Sequence, residues 1–396
     1  KAADAFGELL DLVESGQTQY ALAEFNYTDI YNHQKAPEAA TSFSDNFYTR
    51  KQNWKQPGTV EAIFRGPSPD FNASNWNTTK VFGPKVDGVV EHDNVIHQPT
   101  ANAVEMYGMA NGLPLDHPES GYDPKFPFKG RDPRLAQSIR TPGFCRLNTT
   151  DPVAPNLGYT VTGYAPIKYF TGAEDDTYQT AYVDMPIFRA AEVYLNYAEA
   201  KAELGTLSQA DLDRSINLIR SRVGMPGLNM ATANANPDKY LLDKHSGYPQ
   251  VAVKNTSNVG VILEIRRERT IELLQEGFRY YDVIRWAEGA TFETPLQGMY
   301  FPGEGTYDLN EDGTPDVTLY LGDSAPAGAA ALAYKINDGL KLTEATKGCI
   351  EFHRDTRPGW KWNETKDYYY PIPVGDRNLT GGALTQNPGW NDGLSF

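Results

Sequence analysis

The sequence predicts a mainly α-helical fold, in which helix pairs carry a large loop-rich region with short strands. Three observations predict it. Apolar residues recur at helical spacing near the start of the chain and again, at length, between residues 186 and 288. The intervals between these stretches are rich in Pro, Gly, Asn and aromatics, with only short apolar runs such as that at 60–64. The 396-residue composition, 40% hydrophobic and 22% charged, is that of an ordinary globular protein.

Residues 2–15 carry Ala3, Phe6, Leu9, Leu10 and Val13 at helical spacing, and Gly16 stops them. Residues 1–20 therefore read as the helix of an N-terminal helical region. Residues 21–183 read as loops, short strands and helical turns held on a scaffold. So long an irregular stretch marks function rather than architecture. The scaffold is read at 184–290. There, 186–204 is expected to be one helix, with Ala190, Ala191, Ala198, Ala200 and Ala202 allowing close approach of a neighbour. A Ser cap opens 208–223, which carries Leu212, Ile216, Ile219 and Val223. The short Gly-containing turn between them makes an antiparallel pair of tetratricopeptide type. Residues 258–288 read as a single long helix. Residues 291–357 form a Gly- and Pro-rich insertion with a low-complexity patch at 325–333. The tail, 358–396, is too apolar to be a free end and is expected to lie on the scaffold.

Charge and cysteine content narrow the function. Against 36 Lys and Arg stand 51 Asp and Glu, a net charge of -15, so nucleic acid and anionic membrane surfaces are poor partners. The 24 Tyr, 17 Phe and 6 Trp suit a surface for uncharged polar ligands. No apolar run reaches the length of a membrane-spanning helix. The chain opens at Lys1 without an initiator Met and reads as part of a longer product whose targeting segment lies outside it. Cys145 and Cys349 form neither a disulfide framework nor a zinc site, and their pairing is left open.

No catalytic motif is present: no nucleophile elbow, no His-Glu zinc helix, no phosphate loop and no dinucleotide fingerprint. His92 and His97 are five apart and do not share a helical face. A glycosidase pair stays open, because its two carboxyl groups can lie far apart in sequence. Glu264, Glu268, Glu272 and Glu276 form a ladder of like charges, with Arg266, Arg267, Arg269, Arg279 and Arg285 interleaved or close by. Such a ladder repels itself unless cations lie alongside, so it is read as an ion-pair network between packed helices.

Two sets of residues point to ligands. The stretch DLNEDGTPD at 308–316 has the oxygen-ligand spacing of a calcium loop, with Gly313 at the sharp turn. Asp308, Asn310, Asp312 and Asp316 would offer side-chain oxygens and Thr314 its carbonyl to a structural Ca2+. Leu319 occupies the place of the bidentate Glu, and 317–321 reads as a strand, so this is not an EF-hand. The alternative is an acidic turn without metal. Trp54 and Trp76 sit among Asn and Gln, and Tyr159, Tyr164, Tyr169 and Tyr178 fall in a Gly- and Thr-rich stretch. Such rings stack on sugars or peptides when they are exposed, and Trp54, Trp76, Tyr159, Tyr164 and Tyr178 are the candidates. Trp286, Trp360, Trp362 and Trp390 are read as packing residues.

Several motifs, in order along the chain, resemble those of the SusD/RagB family of outer-membrane nutrient-binding lipoproteins. They are DPRL at 132–135, PIFRAAEVYLNYAEAKAELG at 186–205, INLIRSR at 216–222, ERTIELLQEGFRYYDVIRW at 268–286, PIP at 371–373 and QNPGW at 386–390. Val283 stands where that family mostly has Leu, and the family's lipidated Cys and N-terminal helical half are not in this chain. The resemblance implies a SusD-like α-helical fold with tetratricopeptide-like helix pairs, and no catalysis. It implies a lipid-anchored protein on the extracellular face of the outer membrane that binds a glycan and delivers it to a SusC-like TonB-dependent transporter. The calcium-like loop is not a general feature of that family. Its glycan-binding aromatics lie on variable loops and do not carry over by motif. A peptide ligand on the same architecture, a glycoside hydrolase and a scaffold for proteins alone are the other readings.

Overall fold

One buried helix organises the chain. The computed structural model describes residues 1–23, 41–47, 60–66, 83–84, 97–146, 149–170, 173, 185–243, 248–352 and 361–391. Along it lie α1 (Ala2–Glu14), α2 (Ser42–Asp45), β1 (Ala62–Gly66), α3 (Ala101–Met106), α4 (Pro133–Ala136) and β2 (Met185–Arg189). There follow α5 (Ala190–Glu203), α6 (Gln209–Asp213), α7 (Ile216–Ser221), α8 (Met230–Ala235), α9 (Lys239–Leu242), α10 (Gln250–Lys254), α11 (Val259–Glu272) and α12 (Arg279–Trp286). A 3-10 turn, Gly289–Glu293, leads into β3 (Tyr300–Phe301), β4 (Gly305–Tyr307), β5 (Val317–Tyr320), β6 (Leu332–Lys335) and β7 (Gly348–Cys349), and α13 (Val374–Leu379) lies in the tail. Antiparallel pairs join β1 to β2, β3 to β7 and β4 to β5, while β6 runs parallel to β5.

The central helix is α11, against which α3, α5, α8 and α10 all pack, and α5 in turn packs on α1. The small residues Ala190, Ala191, Ala198 and Ala202 are fully buried, which lets α5 approach both partners. Val261, Ile262, Leu263, Ile265 and Ile271 of α11 share one core with Leu10, Leu195, Ile219 and Trp286. Cys145 and Cys349 are not joined by a disulfide.

Three expected helices are shorter than their periodicity suggests, each for a visible reason. In 186–204 the first residues form β2, and the helix begins at Ala190, whose amide donates to the Glu61 carbonyl at 2.8 Å. The expected helix at 208–223 splits into α6 and α7 at Ser215, whose backbone (φ -135, ψ -93) is not helical. The Ser208 cap is as expected and is completed by a reciprocal bond from its amide to Asp211 at 2.8 Å. The long helix at 258–288 is broken after Glu272. Gln275 (φ 64) and Gly277 (φ 87) take left-handed conformations there, natural for Gly and strained for Gln. The break frees backbone carbonyls for cations: Lys168 Nζ donates to those of Glu272 and Leu274 at 3.2 and 2.8 Å, and an Arg189 guanidinium N–H donates to Glu272 at 2.8 Å.

Three glutamates of the ladder meet cations from other segments, while Glu264 pairs with Arg267 of its own helix at 3.4 Å. Glu272 is held by Arg189 at 2.7 Å, by Arg134 at 3.2 Å and by Arg222. Glu268 pairs with Arg134 and with Arg220, the latter at 3.0 Å. Glu276 pairs with Arg189 at 2.7 Å and Lys168 at 3.0 Å, and Glu61 with Arg189 and Arg222 at 2.7 and 2.6 Å. Asp132 completes the set against Arg134 at 2.7 Å. Asp132, Glu61, Glu268, Glu272 and Glu276 thus balance Arg134, Arg189, Arg220, Arg222 and Lys168. Beyond that pair, the arginines of α11 reach other segments, Arg266 to Glu203 and Glu288, Arg267 to Asp238 and Arg269 to Asp282.

Full burial alone would raise the Glu272 carboxyl, but the surrounding arginines, Arg222 foremost, hold it well below the usual carboxylate range. Its contribution is complete above the unfolded carboxyl's 4.5 and is lost as pH falls below that value. Glu272→Gln should cost about 3–5 kcal/mol by leaving three guanidiniums buried without their shared charge. Urea unfolding at pH 7 measures the loss. Repetition between pH 4.5 and 3 should show the parent losing more stability than the variant.

Candidate functional site

Trp54, Trp76 and Tyr178 lie outside the described residues, as does Trp360. The structure corrects the reading of Tyr164. It is 7% exposed, belongs to the main core and meets Phe128 edge-on with ring centroids 6.4 Å apart, so its face is not open to a ligand. Burial also raises its phenol. Tyr169 is likewise buried, against Phe47 at 5.3 Å. Tyr159 is half-buried, and its carbonyl accepts from Gln98 at 3.3 Å. The next residues, Thr160 and Val161, line a cavity of about 340 Å³ with Tyr334, Lys341 and Phe352.

The loop at 308–316 joins β4 to β5 and turns at Glu311 (φ 57) and Gly313 (φ 90). Its acidic oxygens accept from the loop's own amides: Asp308 from Gly313 at 2.7 Å, Asp312 from Thr314 at 2.7 Å and Asp316 from Leu309 at 2.6 Å. The Thr314 amide is the main cause lowering the Asp312 carboxyl, while burial raises that of Asp316. Among the described residues no three His, Cys, Asp or Glu side chains converge as a metal would need.

A larger opening lies at the break between α11 and α12. Leu273, Leu274 and Phe278 form one wall of a cavity of about 730 Å³, Asn102 and Met106 of α3 another, and Phe292, Thr294 and Leu296 a third, with Tyr248 and Trp362 beside them. The charged groups at its edge are engaged. Arg269 holds both oxygens of Asp282 at 2.8 Å, and Arg279 donates to the Tyr248 hydroxyl at 3.0 Å with its guanidinium 5.2 Å from the Trp286 ring. Burial lowers His97 at the rim. Gln275 donates to the His97 carbonyl at 3.2 Å, but among the described residues its Oε1 has no partner, and neither has Thr294 Oγ1, although both atoms are buried.

From Tyr280, which also lines this cavity, the rings continue outward. Tyr280 lies on Phe292 with centroids 5.8 Å apart, meets Tyr281 edge-on at 5.4 Å and reaches Tyr370 at 6.3 Å. The hydrogen bond with Tyr370 is the main cause that pushes the Tyr280 phenol up to about 12. Tyr281 and Tyr370 are each 64% exposed, and Tyr369 beside them is also open. The tail is pinned under them. The Gly289 amide donates to the Tyr368 hydroxyl at 2.9 Å, Asn387 to the Tyr370 carbonyl at 2.8 Å and Trp390 to the Tyr369 carbonyl at 2.9 Å. At Gly289 a Cβ would lie 2.0 Å from the Trp362 ring, so only glycine lets that ring close the wall. Sequence reasoning missed this aromatic face. Its one signal is the Tyr280-Tyr281 pair directly after the Gly277 break, with the tyrosine triplet 368–370 still to be placed.

The model of the SusD family matches residues 60–390. The chain belongs to the SusD family. The break, the ion-pair cluster and the aromatic face all fall within the matched span. A SusD-like carbohydrate binding protein from Bacteroides fragilis superposes with a TM-score of 0.55 at 21% identity, over 95% of this chain and 60% of that one. A second SusD-like protein from the same species gives 0.53 at 19% identity, over 98% of this chain and 63% of that one. At these identities the likeness is one of fold. This SusD-family chain spans 60–63% of the length of those two relatives. No curated protein sequence matches it.

Proposed function

We propose that the chain is the noncatalytic glycan-binding part of a cell-surface lipoprotein, anchored on the outer membrane and serving a SusC-like TonB-dependent transporter. The observation that carries this reading is the open tyrosine face on a SusD-family scaffold. A sugar presents C–H groups on the faces of its ring and hydroxyls at the edge. Tyr281 and Tyr370 offer exposed rings to those faces, with phenol hydroxyls and the carbonyl-rich tail at the edge. The carbohydrate-binding neighbour from Bacteroides fragilis agrees in kind. Rings rather than clustered carboxylates line the face, which favours sugar over a cationic peptide.

Hydrolysis needs two carboxyl groups facing each other across a cleft, about 5–9.5 Å apart. The one carboxylate among the described residues lining the 730 Å³ cavity, Asp282, is committed to Arg269 and Arg285. That supports capture without turnover.

A glycan array probed with the full-length protein should give saturable binding and no release of reducing ends. Tyr281→Ala with Tyr370→Ala should weaken that binding about tenfold, at about 0.5–1.5 kcal/mol per stacked ring, with an unchanged melting temperature. Binding that ignores both substitutions, or sugar released by a preparation that one Asp or Glu substitution silences, counts against the reading. Copurification of the full-length protein with a barrel transporter in mild detergent checks the partnership, and recovery of the lipoprotein alone opposes it.

We also propose structural Ca2+ at the loop 308–316. Its support is the ligand spacing of Asp308, Asn310, Asp312 and Asp316, with the Thr314 carbonyl. Metal there would relieve repulsion among three carboxylates and stiffen the β4–β5 hairpin. Chelator should lower the melting temperature of the parent and barely change that of Asp308→Ala. Equal melting temperatures with chelator and with millimolar calcium would leave the loop a turn held by its own amides.

A further inference from the structure

The smaller cavity, of about 340 Å³, lies between the insertion and the segment at 157–161 and shares no lining residue with the larger one. Its volume is within the range of small-molecule sites. The ring in it is that of Tyr334, on β6. Tyr334 is half-buried, and its hydroxyl takes no hydrogen bond from the described residues and is not sealed from solvent. Gly339 keeps the space beside this ring clear. Its backbone is outside the left-handed region, so the chain does not require glycine there, yet a Cβ would lie 3.4 Å from the Tyr334 Cδ1. A longer side chain would start in contact with the ring and compete for its face.

The groups around the ring are both accessible and fixed. Val161 is 57% exposed although Thr160 and Thr162 beside it are buried. Gln98 pins it there, accepting from the Val161 amide at 2.8 Å and the Thr160 hydroxyl at 3.0 Å. Asp338 stands on a stiff turn. The amides of Asp338, Gly339 and Leu340 donate to the Lys335 carbonyl at 3.2, 3.0 and 3.3 Å, and Ile336 and Leu340 on either side are buried. The Asp338 carboxylate is exposed, and no described residue pairs with it. Lys341 and Glu351 add one charge of each sign, and the Glu351 amide donates to the Lys341 carbonyl at 2.9 Å.

This inventory fits an uncharged polyol. Tyr334 and Val161 offer apolar surface to C–H groups, the phenol and Lys341 donate, and Asp338 and Glu351 accept. An anion would meet two carboxylates, a cation would lie beside Lys341, and a wholly apolar ligand would desolvate charges without replacing their water. We propose that this cavity is a second sugar subsite, holding one uncharged pyranose residue with its C–H face on Tyr334 and Val161 and its hydroxyls on Asp338 and the Tyr334 phenol. The proposal adds a place to the tyrosine face and rests on the reading of the chain as a glycan binder.

Titration calorimetry on the full chain tests this with cello-, laminari-, malto- and mannotetraose. The tetraose that binds should occupy two sites on the parent and one on Gly339→Leu, which covers the ring. Asp338→Ala should weaken the same site about tenfold, the loss of a hydrogen bond to a charged group, with an unchanged melting temperature. In a chain carrying Tyr281→Ala and Tyr370→Ala, the binding that remains should vanish when Gly339→Leu is added. Tetragalacturonic acid and tetraglucosamine should bind that chain more weakly than the neutral tetraose. Should Gly339→Leu melt early, Asp338→Ala and Tyr334→Phe, which removes only the hydroxyl, still decide. Equal stoichiometry and affinity in the parent and in these variants overturn the subsite, and a loss confined to the Tyr281 and Tyr370 substitutions then leaves the glycan reading standing alone. If either charged sugar binds as tightly as the neutral one, the uncharged assignment falls. If no tetraose binds the parent, the subsite and the glycan reading fall together.

Discussion

The Glu272 carboxylate is sealed from solvent, and guanidiniums from three separate segments, Arg134, Arg189 and Arg222, meet on it. Removing charges from water costs several kcal/mol per ion, and attraction repays that only when the cluster is neutral and its hydrogen bonds are met. The set of five acids and five bases around Glu272 is neutral, and of its buried side-chain donors among the described residues one, Arg222 Nε, goes unmet. Such a cluster adds little net stability over an apolar core of equal volume, but it is intolerant of error. Any shift of α4, β2 or the end of α7 would leave a buried ion alone. The contacts therefore fix register, holding the loop-rich part of the chain to α11 in one arrangement.

The same constraint creates the open part of the molecule. Lys168 and Arg189 take the carbonyls of Glu272 and Leu274, which an unbroken helix would have kept for itself. The chain turns at Gln275 and Gly277, and α12 sets off in a new direction. A continuous helix over 258–288 would have packed Leu274 and Phe278 into the core row. Broken, it leaves them as the wall of a cavity and carries Tyr280 and Tyr281 to its mouth. Burial weakens the cation that enforces this, pulling Lys168 down to about 8, and Glu276 opposes that pull from 3.0 Å. The site is thus a by-product of how the scaffold neutralises its charges.

Periodicity alone reached the identity of the helices and the buried role of Trp286, whose ring lies 5.2 Å from Tyr248 and whose indole N–H donates to Glu199. It also foresaw that the glutamate ladder would need cations. It did not reach the break after Glu272, because Gln275 and Gly277 are compatible with a helix until Lys168, more than a hundred positions earlier, competes for the carbonyls. It misplaced Tyr164, because a Gly- and Thr-rich context resembles an open loop even where the ring meets Phe128 and the core. The tyrosines at 281 and 370 escaped notice for the converse reason. They sit in motifs that read as scaffold, and exposure of one side of a scaffold helix depends on what the tail leaves uncovered.

A scaffold locked in this way separates stability from recognition. Tyr281 and Tyr370 make no ion pair with the cluster and belong to no core, so changing them leaves the buried charges balanced. Phe292 lies in the 3-10 turn and Thr294 and Leu296 follow it, and that turn is tied to the tail through Glu293 and the Gly289 amide. Substitutions along this rim alter the shape and polarity of the opening at the cost of local packing alone. The residues around Glu272 have no such freedom, since each removes a partner that another buried ion requires. Ligand preference on this fold is therefore free to change at the aromatic face and the cavity rim, while the charge cluster that creates both has to stay as it is.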